Sequence, residues 1–257
     1  MATSTEASVS PTSSAGSSRR QPAVGSGTGL AYGVAKSLED AQGAWRLVYR
    51  AYLRTGLIAP NHLRIHTLPH AVGDGTMVVL GRIGPVTVST LSTYLDGEHG
   101  LPLDSVYRKE LDARREAGRK LVETGLFADR RAKLTRSADS LFELMRFAFY
   151  FARVRGADDL IIGVHPRHAP FYRRFLGFEV CGEERNYSVV NDNPVVLLLL
   201  DLAARLNETP RRRGIAFFEQ HPLGPADFAD CYRFPRQELE TSDIGEFLRL
   251  RAGDEPG

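Results

Sequence analysis

The side chains best suited to chemistry gather in one stretch, Leu160 to Phe178. There His165 and His168 bracket Arg167, and Tyr172 follows four residues after His168. An imidazole titrates near neutrality and can take up or return a proton, while a guanidinium offers a planar fork to a carboxylate or phosphate. The apolar run Leu160 to Val164 predicts a strand buried on both faces. Pro166 removes a donor and ends it. A short helix is expected next, with Pro170 in its first turn, Gly177 closing it and Phe178 leading into another strand. A strand end facing a helix start is where α/β proteins commonly keep their chemistry. The same spacing also describes an ordinary connection carrying two surface histidines.

The remaining composition narrows the function classes. With 42% hydrophobic and 25% charged residues, the 257-residue chain reads as soluble and globular. A net charge of +2 argues against non-specific nucleic-acid binding. Two cysteines, Cys181 and Cys231, are too few for a disulfide framework and point to a reducing compartment, so a cytoplasmic location is expected. Cys181 falls in a strand, where a buried thiol is usually inert, which argues against a cysteine nucleophile. The longest aliphatic run, Val195 to Leu200, has strand length, so no transmembrane segment is expected. No metal-ligand spacing is present.

Three regions are expected: a disordered Ser/Thr/Gly-rich tail over 1–29, a folded domain over 30–206, and a partly ordered appendage over 207–257. The tail lacks the apolar core of a secretory signal, and Arg19 and Arg20 are few for a transit peptide. Within the domain, Leu30 to Ala35 predicts a first strand. Ser37 then caps a helix whose Ala41, Ala44, Trp45, Val48 and Tyr52 form the buried stripe. Arg46 and Arg50 share a face of that helix, read as solvated or as lining a site. Thr76 to Arg82 and Pro85 to Leu95 predict a hairpin, Leu103 to Ala117 a helix, and Arg119 to Phe127 a fourth strand. A long helix over Ala138 to Arg155 should bury Leu141, Met145, Ala148, Phe149 and Ala152, leaving Ser140, Glu143, Tyr150 and Arg153 near a polar face. Strands over Phe178 to Val190 and Val195 to Asp201 close the order around a turn at Asn191 to Pro194. In the tail, Arg211 to Arg213 reads as a solvated turn, followed by helical patches near Ala226 to Tyr232 and Arg236 to Leu250. Crossover helices beside hairpins require a mixed sheet, so the fold class is α/β.

That order, with Phe171 to Phe178 closing the short helix, resembles the GNAT fold of N-acyltransferases. Within it, Arg46 to Arg50, Gly100 to Asp104, Gly118 to Glu123, His165 to Tyr172 and the strand Pro194 to Asp201 resemble the FeeM-like N-acyl amino acid synthases, relatives of exosortase-associated acyltransferases and acyl-homoserine-lactone synthases. Tyr172 stands one residue further from Gly177 than the usual motif. Glycine-rich pyrophosphate loops, whose amides cradle CoA in many members, are missing: Asp129 to Ser137 contains no glycine. The resemblance therefore implies a donor on the phosphopantetheine arm of acyl carrier protein, with acyl-CoA as the alternative, and no permanently bound cofactor. The carrier is acidic. Between Arg108 and Arg136 there are ten Lys or Arg against five Asp or Glu, and Arg130, Arg131, Lys133 and Arg136 are the expected docking residues.

The implied reaction is aminolysis of a long-chain acyl thioester by the α-amine of an amino acid. Glu123 is the first candidate for the base and His165 the second, each with a structural or capping role as the alternative. A backbone amide among Thr124, Gly125 and Leu126 is expected to hold the oxyanion. Tyr172 would protonate the leaving thiolate, Arg50 or Arg167 would pair with the acceptor carboxylate, and His168 would cap the short helix. Phe142, Phe149 and Phe151 are candidates for setting the depth of the acyl pocket. The alternatives are a CoA-dependent acetyltransferase acting on a small amine, or a non-catalytic module that binds a lipid or a carrier protein.

Overall fold

The computed structural model describes residues 29–71, 73, 75–130, 134–206 and 213–253; the tail expected over 1–29 lies outside them except for Gly29. Strand β1 (Leu30–Val34) and helix α1 (Leu38–Arg54) open the domain. The hairpin β2 (Thr76–Ile83) and β3 (Val86–Leu95) follows, then α2 (Asp104–Glu116), β4 (Leu121–Asp129), α3 (Leu134–Val154) and β5 (Asp159–Val164). After β5 the chain passes through a compound helical turn. It is 3-10 over Pro166–His168, α (α4) over Ala169–Phe171 and π over Tyr172–Leu176, and it closes on Gly177 at φ 79°. The end of the domain holds β6 (Glu179–Val180), β7 (Arg185–Tyr187), β8 (Asn193–Asp201), α5 (Leu202–Leu206), α6 (Arg213–Gln220), α7 (Arg236–Glu240) and α8 (Asp243–Gly253).

The sheet runs β1-β2-β3-β4-β5-β8-β6, with β7 pairing the other end of β8. Every pairing is antiparallel except β4 with β5, which α3 joins as a crossover. Side chains alternate across it as a period of two requires. In β8, Val195, Leu197 and Leu199 enter one core and Val196, Leu198 and Leu200 the other. The first core lies under α1, α2, α7 and α8, the second under α3 and α6. Both faces of β5 and β8 are thus covered, which is why their sequences read as continuous apolar runs.

Several expectations are corrected. Phe178 to Val190 is not one strand: it divides into β6, β7 and a 3-10 turn at Ser188–Val190, because Cys181 and Gly182 both direct their amides to the Leu197 carbonyl. Helix α3 has no polar face at Ser140 and Tyr150. Ser140 is buried against the sheet and donates to Ser89 Oγ of β3 (2.8 Å), and Tyr150 donates to the Phe218 carbonyl of α6 (3.0 Å), which covers its side. Helix α6 was not expected; its first residue, Arg213, was assigned to a turn, while Arg211 and Arg212 lie outside the described residues. The patch expected at Ala226 to Tyr232 is only a 3-10 turn, Pro225–Phe228.

The C-terminal segment returns to α1. The Tyr232 amide donates to the Ala35 carbonyl (2.9 Å), Phe234 stacks on Trp45 (5.4 Å between rings), and Arg46 pairs with Asp243 (2.9 Å). Asp159, wholly buried at the start of β5, accepts from Arg114 Nε (2.8 Å) and Arg119 Nε (2.7 Å), and Arg119 reaches on to Asp201 (2.7 Å). Arg115 binds Asp96, Asp104 and Asp112 in the same way. Three of the ten cations counted between Arg108 and Arg136 are therefore tied up inside the fold.

Candidate active site

The site forms because β4 and β5 part company. They pair over only three residues, Leu121↔Asp159, Val122↔Leu160 and Glu123↔Ile161, and then diverge. Beyond that point the β3–β4 register jumps from Ser92↔Gly125 to Thr90↔Ala128, so Leu126 and Phe127 have no partner on β3. Leu126 takes φ 50°, a left-handed conformation that a branched aliphatic residue adopts only where its surroundings impose it. The bulge turns backbone into the gap. A cleft of about 510 Å³ fills this opening.

The cleft passes through the sheet. On the α3 side it is lined by Leu91, Met145 and Ile162, all members of the second core. On the α1 side it meets Tyr52, Arg54, His66, Leu68 and Leu103, and at its rim His165, Arg167, His168 and Tyr172. One end is apolar and the other polar, a shape suited to an amphiphile.

Glu123 sits at the vertex with 5% exposure. Its Oε2 accepts the Leu103 amide (2.9 Å). Burial pushes its carboxyl well above the usual carboxylate range, the charges of Asp104 and Asp96 add to that, and the Leu103 amide offsets part of it. Asp104 stays ionised below its ordinary value: burial alone would raise it, but Arg115 and the Leu101 amide outweigh burial. Thr124, the next residue, donates to the Ser92 carbonyl (2.9 Å) and lies 3.1 Å from Thr93 Oγ1, fixing the strand beside the bulge. Gly125 lines the cleft, and a Cβ there would meet no atom within 4 Å.

Packing at the vertex is tight elsewhere. A Cβ on Gly163 of β5 would lie 2.7 Å from Leu103 Cδ2 and 3.0 Å from Val195 Cγ2. Gly163→Ala is therefore expected to cost roughly 1–3 kcal/mol, as overpacked cores do. It should also lower kcat by moving Leu103, whose amide holds Glu123. Paired thermal melts and initial rates check this, and an unaltered kcat would uncouple Leu103 from any role that Glu123 has in turnover.

The histidines divide their work differently from expectation. His165 takes the capping role that was its alternative, its Nδ1 accepting the Arg167 amide (3.3 Å), while His168, the expected cap, makes no side-chain capping bond. With Nδ1 engaged as acceptor, the neutral ring carries its proton on Nε2 and has no acceptor left for an amine proton. His168 Nε2 accepts from Arg167 Nε (3.2 Å), and burial, Arg167 and His165 keep its pKa below the ordinary value. Tyr172 packs edge-on against Phe178 (5.9 Å), and burial raises its phenol pKa. Tyr52 faces it across the cleft; its phenol is raised by burial and then by Tyr172.

Glu123, Thr124, Gly125, Leu126, His165, Arg167, His168 and Tyr172 are thus brought together around one cleft. Arg50 is not among them: it is exposed on α1, and Arg54, one turn further on, lines the cleft instead. Among the described residues Met145, rather than Phe142, Phe149 or Phe151, is the α3 side chain in the cleft. Phe149 and Phe151 are wholly buried against Phe218 and Phe228, covered by α6 and the turn after it. Arg130 is exposed, with its amide on the Val88 carbonyl (2.9 Å). Arg131 and Lys133, and the side chain of Arg136, lie outside the described residues. Cys181 is half-buried away from the cleft, and burial raises its thiol pKa, as befits an unreactive cysteine. Sequence reasoning placed Tyr52 in the α1 core stripe, and gave no signal for His66, which packs on Tyr52 (5.4 Å) and Phe247 (6.2 Å).

No helix among the described residues is long and apolar enough to cross a membrane. No curated protein matches the chain. The structure of FeeM, an N-acyl amino acid synthase from uncultured soil microbes, matches with 27% identity and a TM-score of 0.59, over 68% of this chain and 91% of that one. TofI, solved in a ternary complex with an inhibitor and MTA, shares the fold with 21% identity and a TM-score of 0.52, over 77% of this chain and 98% of the other. The family model for N-acyl amino acid synthase FeeM matches residues 43–201, from the first turns of α1 to the end of β8, and so spans every element that builds the cleft. The chain therefore belongs to the FeeM family of N-acyl amino acid synthases, acyltransferases of the GNAT fold.

Proposed function

We propose that this chain moves a long-chain fatty acyl group from the phosphopantetheine thioester of acyl carrier protein to the α-amine of an amino acid. The observation that carries the reading is Glu123: a buried carboxyl of raised pKa, without a cationic partner among the described residues, at the vertex of a cleft that is apolar on one side and polar on the other. The acyl chain would lie against Leu91, Met145 and Ile162, and the amino acid on the α1 side, with its carboxylate toward Arg54 or Arg167. The amine attacks the thioester carbonyl carbon. The C–N bond forms, the C–S bond breaks, and the amine proton passes to Glu123. Amides at the Leu126 bulge meet the oxyanion, and Tyr172 returns a proton to the departing thiolate.

A donor presented by a carrier brings no free pyrophosphate, which agrees with a β4–α3 connection that has no glycine between Asp129 and Ser137. The test is to incubate the protein with palmitoyl-loaded acyl carrier protein and an amino-acid pool and to read the products by mass spectrometry. An N-acyl amino acid is the expected product. Turnover with acetyl-CoA and none with the carrier would instead make this a CoA-dependent acetyltransferase, and silence with both donors a binding module.

A further inference from the structure

The compound turn that supplies the cleft rim also carries a second surface. Phe171 and Phe175 on this turn, Phe142 on α3 and Phe217 on α6 touch one another, with ring centroids 5.1 to 6.4 Å apart, and all four stay partly exposed. Helix α6 is held against the turn through Gly214, where a Cβ would lie 2.4 Å from Leu176 Cδ2 and 2.8 Å from the Phe175 carbonyl oxygen. The aromatic patch is therefore a fixed feature, assembled from three elements.

Its border is basic. Arg173, Arg174 and Arg213 are exposed, and none makes an ion pair among the described residues. Arg174 lies over the Phe175 ring at 5.5 Å, and Arg213 stands one turn from Phe217 on α6. Between His165 and Phe178 there is no acidic residue. By contrast, Arg114, Arg115 and Arg119 spend their charge on internal aspartates. Partly exposed aromatics rimmed by arginines with no ion pair among the described residues have the composition of an interface core and its rim.

We infer that this patch, Phe142, Phe171, Phe175 and Phe217 rimmed by Arg173, Arg174 and Arg213, is the surface on which an acidic acyl carrier protein docks. The inference rests on the donor assigned under Proposed function. Continuity carries it. The segment that bears Arg173 and Arg174 also lines the cleft through Arg167, His168 and Tyr172, so a carrier seated here has its arm beside the entrance. Charge complementarity supplies orientation and encounter rate, and the phenyl rings supply desolvated contact.

The test is the double variant Arg173→Glu/Arg174→Glu, assayed with palmitoyl-loaded acyl carrier protein and, separately, with palmitoyl-pantetheine. The expected result is a KM for the loaded carrier raised roughly tenfold or more, since rim charges act on encounter, with kcat and KM for palmitoyl-pantetheine unchanged. Equal losses with both donors would overturn the inference, because the defect would then lie in the cleft or the fold. Wild type and variant matching on the carrier would overturn it as well, while leaving the donor assignment standing. A wild-type enzyme that uses palmitoyl-pantetheine but not the carrier would sink the donor assignment itself, and the docking surface with it. Unchanged carrier kinetics with lost sedimentation on phosphatidylglycerol vesicles would reassign the patch to a lipid surface.

Discussion

Glu123→Gln is expected to lower kcat by about 10²–10⁴-fold, the range over which a positioned general base acts, with little change in KM. Gln keeps an oxygen that can accept the Leu103 amide, so the vertex geometry survives while proton uptake is lost. In the wild-type enzyme kcat/KM should rise with pH through a pKa above the ordinary carboxylate range, because only the ionised form accepts the amine proton. Stability should move the opposite way. Since the folded-state pKa is raised, the folded protein holds a proton that the unfolded chain gives up near pH 4.3. The associated stability is complete below that pH and is lost as pH rises through the folded value. The amide has no such titration, so Glu123→Gln should melt progressively higher relative to wild type as pH increases. Melts across a pH series and initial rates test both halves together. Retained activity would move the base elsewhere, and a melting difference independent of pH would mean that the carboxyl is already solvated.

The second large effect falls far from the chemistry. Asp159→Asn is expected to cost about 3 kcal/mol, toward the low end for breaking a buried charged pair. Asp159 has no exposure, whereas the guanidiniums of Arg114 and Arg119 retain 30% and 25% and can turn toward water. For a domain of this size that corresponds to a fall in Tm of about 6–12 °C, at about 2–4 °C per kcal/mol. Activity should fall too, since Asp159 begins one of only three β4–β5 pairs and sets where the strands separate. Calorimetry with parallel rate measurements decides it. A Tm within 2 °C of wild type (about 1 kcal/mol) would show that the arginines find equivalent partners in Asp201 and solvent.

Much of this arrangement could be read in the residues. The hairpin, the buried strand Leu160 to Val164 and the closing Gly177 are local signals, set by alternation, by Pro166 and by a positive φ that glycine takes without strain. Glu123 was read as the first candidate base on its place in the fourth strand, and it lies in the cleft. What failed was facing. Arg50 and Arg54 are both basic residues on α1, and only packing by β3, β4 and α8 decides which turn meets the cleft. Ser140 and Tyr150 look polar on a helical wheel, yet β3 buries the first and α6, coming from far along the chain, the second, each with its hydroxyl bonded. Helix α6 itself escaped notice because its eight residues follow an arginine run and include Gly214, a poor helix former chosen here for close approach. Between the two histidines both rings can cap, and which one does depends on where Pro166 starts the turn: His165 takes the capping role read as its alternative, and His168 does not.

The return of residues 230–247 to α1 also bears on how the protein is made. Ala35 and Trp45 leave the ribosome well before the groups that complete their surroundings, the Tyr232 amide and the Phe234 ring. A nascent chain interrupted before that point already carries Glu123 and the whole of the divergent strand pair, yet leaves Trp45 without its stacking partner. Such a chain exposes apolar surface of the kind that chaperones and proteases recognise. The core around α1 is thereby completed only once residues 230–247 have been made.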